Sequence, residues 1–132
     1  MKNLILIFTL LVSTVLLSSP SYAEWKKTSE SVDGDVFYVD FDGIRKQGEY
    51  FYYWSLIDNL KQTEYGHFST KIYHQADCKL FRDRSLSYVQ HKQPMGRGSN
   101  DSDFDYTVEN AEWDQPPPDS VSEEILKKVC SW

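Results

Sequence analysis

The sequence predicts an α+β fold, an antiparallel sheet of about six strands with a C-terminal helix packed on one face. Three observations point there. Apolar residues alternate with polar ones over several short segments divided by Gly-containing turns, the period of half-buried strands. After Pro116-Pro117-Pro118 the spacing becomes helical. The only two cysteines, Cys78 and Cys130, connect the middle of the chain to that helical tail.

The first 23 residues stand apart. Lys2 gives a positive start, and Leu4 to Leu17 is an apolar run too short to span a bilayer. Ser21-Tyr22-Ala23 is a small-x-small cleavage site, so residues 1–23 read as a signal peptide cut after Ala23. Glu24 to Trp132, 109 of the 132 residues, then forms a single domain. No later segment is apolar enough to cross a membrane.

Along this mature chain, Trp25 to Val32 reads as a first strand. Asp33-Gly34 reads as a type I′ hairpin turn, whose two central positions need positive φ. Asp35 to Phe41 alternates, with Phe37, Val39 and Phe41 on one side and Val36, Tyr38 and Asp40 on the other. Asp42-Gly43 and Gln47-Gly48 mark turns. Glu49 to Leu60 has the strongest strand signal. Tyr50, Tyr52, Trp54 and Leu56 share one face, while Phe51, Tyr53 and Ile57 share the other. Apolar groups on both faces suit a central strand covered on each side, or covered on one side and shielded by a partner on the other. Gly66 to Gln75 reads as a further strand. Lys79 to His91 alternates less cleanly, and Arg82-Asp83-Arg84 within it reads as a solvated edge or turn. Pro94 to Ser102 is a glycine-containing loop, and Phe104 to Trp113 the last strand.

The tail helix has start and stop signals. Ser120 with Glu123 matches a capping box, with Asp119 as the competing cap. Glu123 and Glu124 lie at the positive end of the helix dipole, and Lys127 and Lys128 near the negative end. Val121, Ile125, Leu126, Val129 and Cys130 share one face. So short a helix is marginal alone and needs that face buried. In an exported chain two cysteines pair, so Cys78–Cys130 is expected as a structural disulfide.

Function classes narrow by exclusion. Without Lys2 the chain holds 13 basic and 20 acidic residues, a net charge of −7. Such a surface repels nucleic acid and anionic membrane. No GxSxG, P-loop, GxGxxG or HExxH is present, so no catalytic residue and no cofactor is assigned. His67 and His74 are an odd number apart on one expected strand and should face opposite ways. Metal binding has one candidate: Asp101, Asp103, Asp105 and Glu112 have the acidic spacing of a calcium loop. Tyr106 occupies the position that wants glycine, and no helices flank the loop, so no metal is assigned. Aromatic Tyr52 and Trp54, with Arg97 in the glycine loop, are the candidate ligand contacts.

The order Trp25, Tyr38-Val39-Asp40, Trp54-Ser55-Leu56, Ser69-Thr70-Lys71, Asp77-Cys78 continues through Met95-Gly96-Arg97-Gly98, Trp113, Pro118-Asp119-Ser120 and Cys130. This order resembles the surface-adhesin protein E family over nearly all of the mature chain. The resemblance implies about six antiparallel strands on a C-terminal helix tied by this cysteine pair. It also implies a non-enzymatic bacterial module that binds host or extracellular-matrix protein. One departure matters: no lipid-attachment cysteine follows the apolar leader. The expected location is therefore the periplasm or the cell surface, with an extracellular-matrix or envelope protein as partner and a homodimer through an open face or edge as a further expectation. The alternative is a periplasmic small-ligand-binding or envelope accessory protein, using the aromatic face and the Gly96 to Gly98 loop. Family membership can carry a fold without carrying the partner.

Overall fold

The computed structural model describes residues 23–105 and 109–132, with 101–105 described by backbone alone. The expected signal peptide, up to Tyr22, lies outside the described residues. The described residues form seven strands and one α-helix: β1 (Lys26–Glu30), β2 (Val36–Val39), β3 (Arg45–Gln47), β4 (Tyr50–Asp58), β5 (Ser69–Asp77), β6 (Arg82–His91), β7 (Asn100–Asp105) and α1 (Val121–Cys130). The sheet runs β1-β2-β4-β5-β6-β7, and every neighbouring pair is antiparallel. The short β3 lies on the same side of β4 as β2. β2 pairs with Ser55–Asp58 and β3 with Tyr50–Tyr52. The expected fold is the observed one, with β3 as an added fragment. All three residues of β3 are exposed, so no apolar alternation announced it.

Several boundaries differ from the sequence reading. The β1–β2 turn is not type I′. Gly34 N–H donates to the Ser31 carbonyl at 3.0 Å and Ser31 N–H to the Asp35 carbonyl at 2.9 Å. Gly34 alone takes positive φ, +92°, and Asp33 does not. This is the longer hairpin loop, a type I turn closed by a left-handed glycine, which accommodates the exposed Val32 as an extra residue. β5 begins at Ser69 rather than Gly66, because Gly66 closes a turn onto Thr63. His67 thus precedes the strand, and the alternation argument relating it to His74 does not apply. Arg82-Asp83-Arg84 is neither edge nor turn. These residues pair with Asp77, Ala76 and Gln75 on one side, and Asp83 bridges Asp114 on the other. β7 starts at Asn100, inside the expected loop, and residues 106–108 of the expected last strand lie outside the described residues.

The core sits between one sheet face and α1. Val39, Tyr53 and Ala76 are buried against Ile125, Leu126 and Val129, with Phe37, Phe41 and Phe51 packed alongside. Burying each large apolar side chain is worth roughly 1.5–3 kcal/mol, which is what a short helix lacks by itself. Ser120 caps α1, its Oγ accepting from Glu123 N–H at 3.1 Å. Asp119 does not cap; it turns the chain into the helix at φ +61°. The box is half formed, because Glu123 pairs forward with Lys127 and Ser120 N–H goes to the Pro117 carbonyl. At the far end Cys130 is bonded to Cys78, just past β5. The solvent side of the helix is tied to β1: Lys128 Nζ donates to the Thr28 carbonyl at 2.6 Å, and Ser29 Oγ donates to Glu124 at 2.7 Å. Among the described residues, no helix is long and apolar enough to cross a membrane.

Candidate binding face

Strand alternation sends β4 side chains to two different environments. Phe51 and Tyr53 go to the core under α1. Tyr50, Tyr52 and Trp54 go to the opposite face, which no helix covers among the described residues. Register then adds neighbours: Tyr52 lies opposite Gln75, and Trp54 opposite Tyr73. The Tyr73 ring is 4.9 Å from Trp54 and 6.1 Å from Tyr52, centre to centre, so the three rings form one row. All three residues are half-buried, and the rings are tilted by about 30° to one another. Burial raises the Tyr73 phenol pKa; the Arg45 guanidinium nearby opposes the shift and Tyr52 adds to it.

Polar groups extend the row across the sheet. Gln75 Nε2 donates to Tyr52 Oη at 2.7 Å, and Arg84 Nε donates to Gln75 Oε1 at 2.7 Å. Arg82 and Arg84 hold their guanidinium carbons 4.5 and 4.2 Å from the Trp113 ring centre. Tyr50 touches the same indole at 5.6 Å. One face thus carries Tyr50, Tyr52, Trp54, Tyr73 and Trp113 with arginine alongside.

Arg97 follows a 3₁₀ turn, Pro94–Gly96. Met95 N–H donates to Asp58 at 2.8 Å, and Gly96 N–H donates to Ser69 Oγ at 2.8 Å. Gly96 has φ +66°, and a Cβ there would come within 2.4 Å of Lys71 Cε. Lys71 is paired with Leu56, one same-face step beyond Trp54. The turn therefore closes the end of the aromatic row, with Arg97 exposed. Tyr52 and Trp54 share this face, and the turn that carries Arg97 lies at its Leu56–Lys71 end. Tyr73, Gln75, Arg84 and Trp113 were missed, because only the pairing register places them there.

The helix side of the sheet holds a second polar line. Tyr53 Oη donates to Asp83 Oδ2 at 2.9 Å, Ser55 Oγ shares a 2.7 Å hydrogen bond with His74 Nε2, and His74 Nδ1 lies 3.4 Å from Asp83 Oδ2. The His74 ring stacks on Tyr53 at 4.6 Å. Burial, then the Asp83 charge and hydrogen bond, push the Tyr53 phenol pKa well above its ordinary value. A serine, an imidazole and a carboxylate in line have the residue types of a nucleophile relay. A relay requires an imidazole N–H bonded to the carboxylate, and here buried His74 Nδ1 makes no hydrogen bond. His67 and His91 are buried, and His91 Nδ1 faces the Gly98 carbonyl at 3.3 Å.

For the calcium candidate, Asp101, Asp103 and Asp105 fall within β7, their side chains outside the described residues, and Glu112 is exposed in the segment that follows. Among the described residues no cluster of three or more His, Cys, Asp or Glu could hold a metal ion.

The family model for surface-adhesin protein E matches residues 25–131. The chain belongs to that family. Solved structures agree in fold. One crystal form of Haemophilus influenzae protein E superposes with a TM-score of 0.64 at 11% identity, covering 84% of this chain and 90% of that one. A selenomethionine form of the same protein gives 0.62 at 12% identity, with 84% and 88% covered. A third structure gives 0.59 at 12% identity, with 87% and 91% covered. At such identity the likeness speaks for the adhesin E fold, not for conserved contacts. A search of curated proteins finds no match to the chain.

Proposed function

We propose that the chain is an exported, non-enzymatic binding module of the adhesin E type, which engages a protein partner through the uncovered sheet face. One observation carries the reading: the half-buried row Tyr52–Tyr73–Trp54, with Arg45 opposite Tyr52. Tyr, Trp and Arg dominate the energetic centres of protein interfaces, because they bury large area with few rotors and keep a polar end. The family favours a bacterial surface location and a host or extracellular-matrix protein as partner. A second copy of the chain would compete for the same face, and sedimentation distinguishes it.

Trp54→Ala is the decisive variant. Binding of immobilised matrix proteins by the mature chain should fall at least tenfold, as expected when a central aromatic worth about 2 kcal/mol is truncated. Trp54→Ala also loses the contact with Tyr73, so thermal unfolding should confirm that the variant stays folded at the assay temperature. Binding that survives Trp54→Ala and Tyr52→Ala together would remove this face from the function.

A further inference from the structure

The sheet face opposite the aromatic row carries an independent feature. Between the start of α1 and strands β2, β4 and β5 lies a cavity of 380 Å³. Its walls are apolar, chiefly Phe37, Ile57, Ile72, Val121 and Ile125. Its polar side is the Ser55–His74–Asp83 line. A wider cleft of 670 Å³ shares His74, Asp83 and Ser122 with it, so these three stand at the junction of the two. The volume is at the lower end of small-ligand sites, and a mostly apolar wall with a few converging polar groups is their usual make-up.

Charge selects the class of ligand. Among the described residues, no lysine or arginine lines the cavity. The beginning of α1 contributes roughly half a positive charge, and its acids Glu123 and Glu124 are already paired with Lys127 and Lys128. Asp83 contributes a full carboxylate. It accepts one neutral hydrogen bond from Tyr53 and faces His74, and no lysine or arginine is paired with it among the described residues. Arg84, which lines the wider cleft, is held on Gln75, on the Ala111 carbonyl and over Trp113. The full charge outweighs the half charge. We infer that this cavity binds a small primary amine with an apolar body, the ammonium donating to Asp83 and the body lying against Ile57, Ile72 and Ile125. An anion of the same shape would meet Asp83 without a counter-charge and is disfavoured.

The test uses two matched probes, 2-phenylethylamine and 3-phenylpropionate, titrated into the mature disulfide-bonded chain by calorimetry and by amide NMR shifts. The amine should bind at least about tenfold more tightly than the acid, the effect of one charge-assisted hydrogen bond. Its shifts should map to α1 and to alternate residues of β4 and β5. Asp83→Asn keeps an acceptor for Tyr53 and should erase the preference. Val121→Trp fills the cavity mouth and should abolish both interactions, with unfolding temperature confirming that it folds. Equal affinity for the two probes in the unmodified chain overturns the inference. So does an absence of saturable binding at millimolar concentration, or shifts confined to the Tyr52 and Trp54 face. None of these results bears on matrix-protein binding by the aromatic row.

Discussion

The Tyr53 hydroxyl donates to Asp83 Oδ2 at 2.9 Å, across β5 and beneath α1. The phenol is almost wholly buried, so ionising it would put a poorly solvated negative charge beside the Asp83 carboxylate. Its pKa is therefore raised in the fold, chiefly by burial and then by Asp83. In the unfolded chain it titrates near the ordinary value of 10.0. A raised folded pKa means the native state holds the proton longer, so the contribution is full below pH 10 and is lost as pH climbs above it. Unfolding free energy should fall by up to about 1.4 kcal/mol per pH unit from this group. Tyr73 and Lys27, whose pKa values are also raised, add smaller slopes in the same range. Tyr53→Phe should flatten the alkaline slope, measured by urea unfolding at several pH values. An unchanged slope would mean that the phenol is not the group responsible.

The Cys78–Cys130 bond closes a separation of 52 residues. By chain entropy such a loop is worth about 4 kcal/mol, against the roughly 5–15 kcal/mol of a typical domain. Cys130→Ser with Cys78→Ser should lower the urea midpoint accordingly, and hydrogen exchange should speed up first in α1, whose last turn loses its tie. A loss below about 1 kcal/mol would show that the apolar face of α1 suffices to hold it.

Ser120 Oγ takes one of the unsatisfied N–H groups at the start of α1. Ser120→Ala should cost about 1 kcal/mol, and Ser120→Asp should restore most of it. Because Ser120 Oγ accepts from Glu123 N–H, the alanine variant should also loosen protection of the Glu123 amide. Equal stability of the serine and alanine forms would assign the cap to Asp119 after all.

The sheet, the helix, the cap and the disulfide were legible because each depends on local pattern or on a count of two. Val121, Ile125, Leu126 and Val129 repeat at helical spacing, and Tyr50 to Ile57 alternate at strand spacing. Failures occur where partners are distant in sequence. Arg82-Asp83-Arg84 looks like a solvated run until Trp113 and Tyr53, both far along the chain, are seen to satisfy it. β3 has no apolar pattern because neither of its faces is buried. Tyr52 and Trp54 could be named from β4 alone, whereas Tyr73 required the register of β5. The helix-side line was invisible because Ser55, His74 and Asp83 come from three strands, and none of them belongs to a motif.

That line yields a last prediction. Ser55 Oγ satisfies His74 Nε2, while His74 Nδ1 is buried with no hydrogen bond. Ser55→Ala would leave His74 Nε2 without its hydrogen bond, costing about 1–3 kcal/mol for the newly orphaned group. His74→Phe removes the ring's polar needs while keeping the stack on Tyr53. The pair Ser55→Ala with His74→Phe should therefore be more stable than Ser55→Ala alone, with a coupling energy of about 1 kcal/mol in a double-mutant cycle. A fluorophosphonate probe should leave Ser55 unmodified, since an imidazole without a carboxylate bonded at Nδ1 is not held as a general base. Covalent labelling of Ser55 that His74→Phe abolishes would instead assign the line a reactive role.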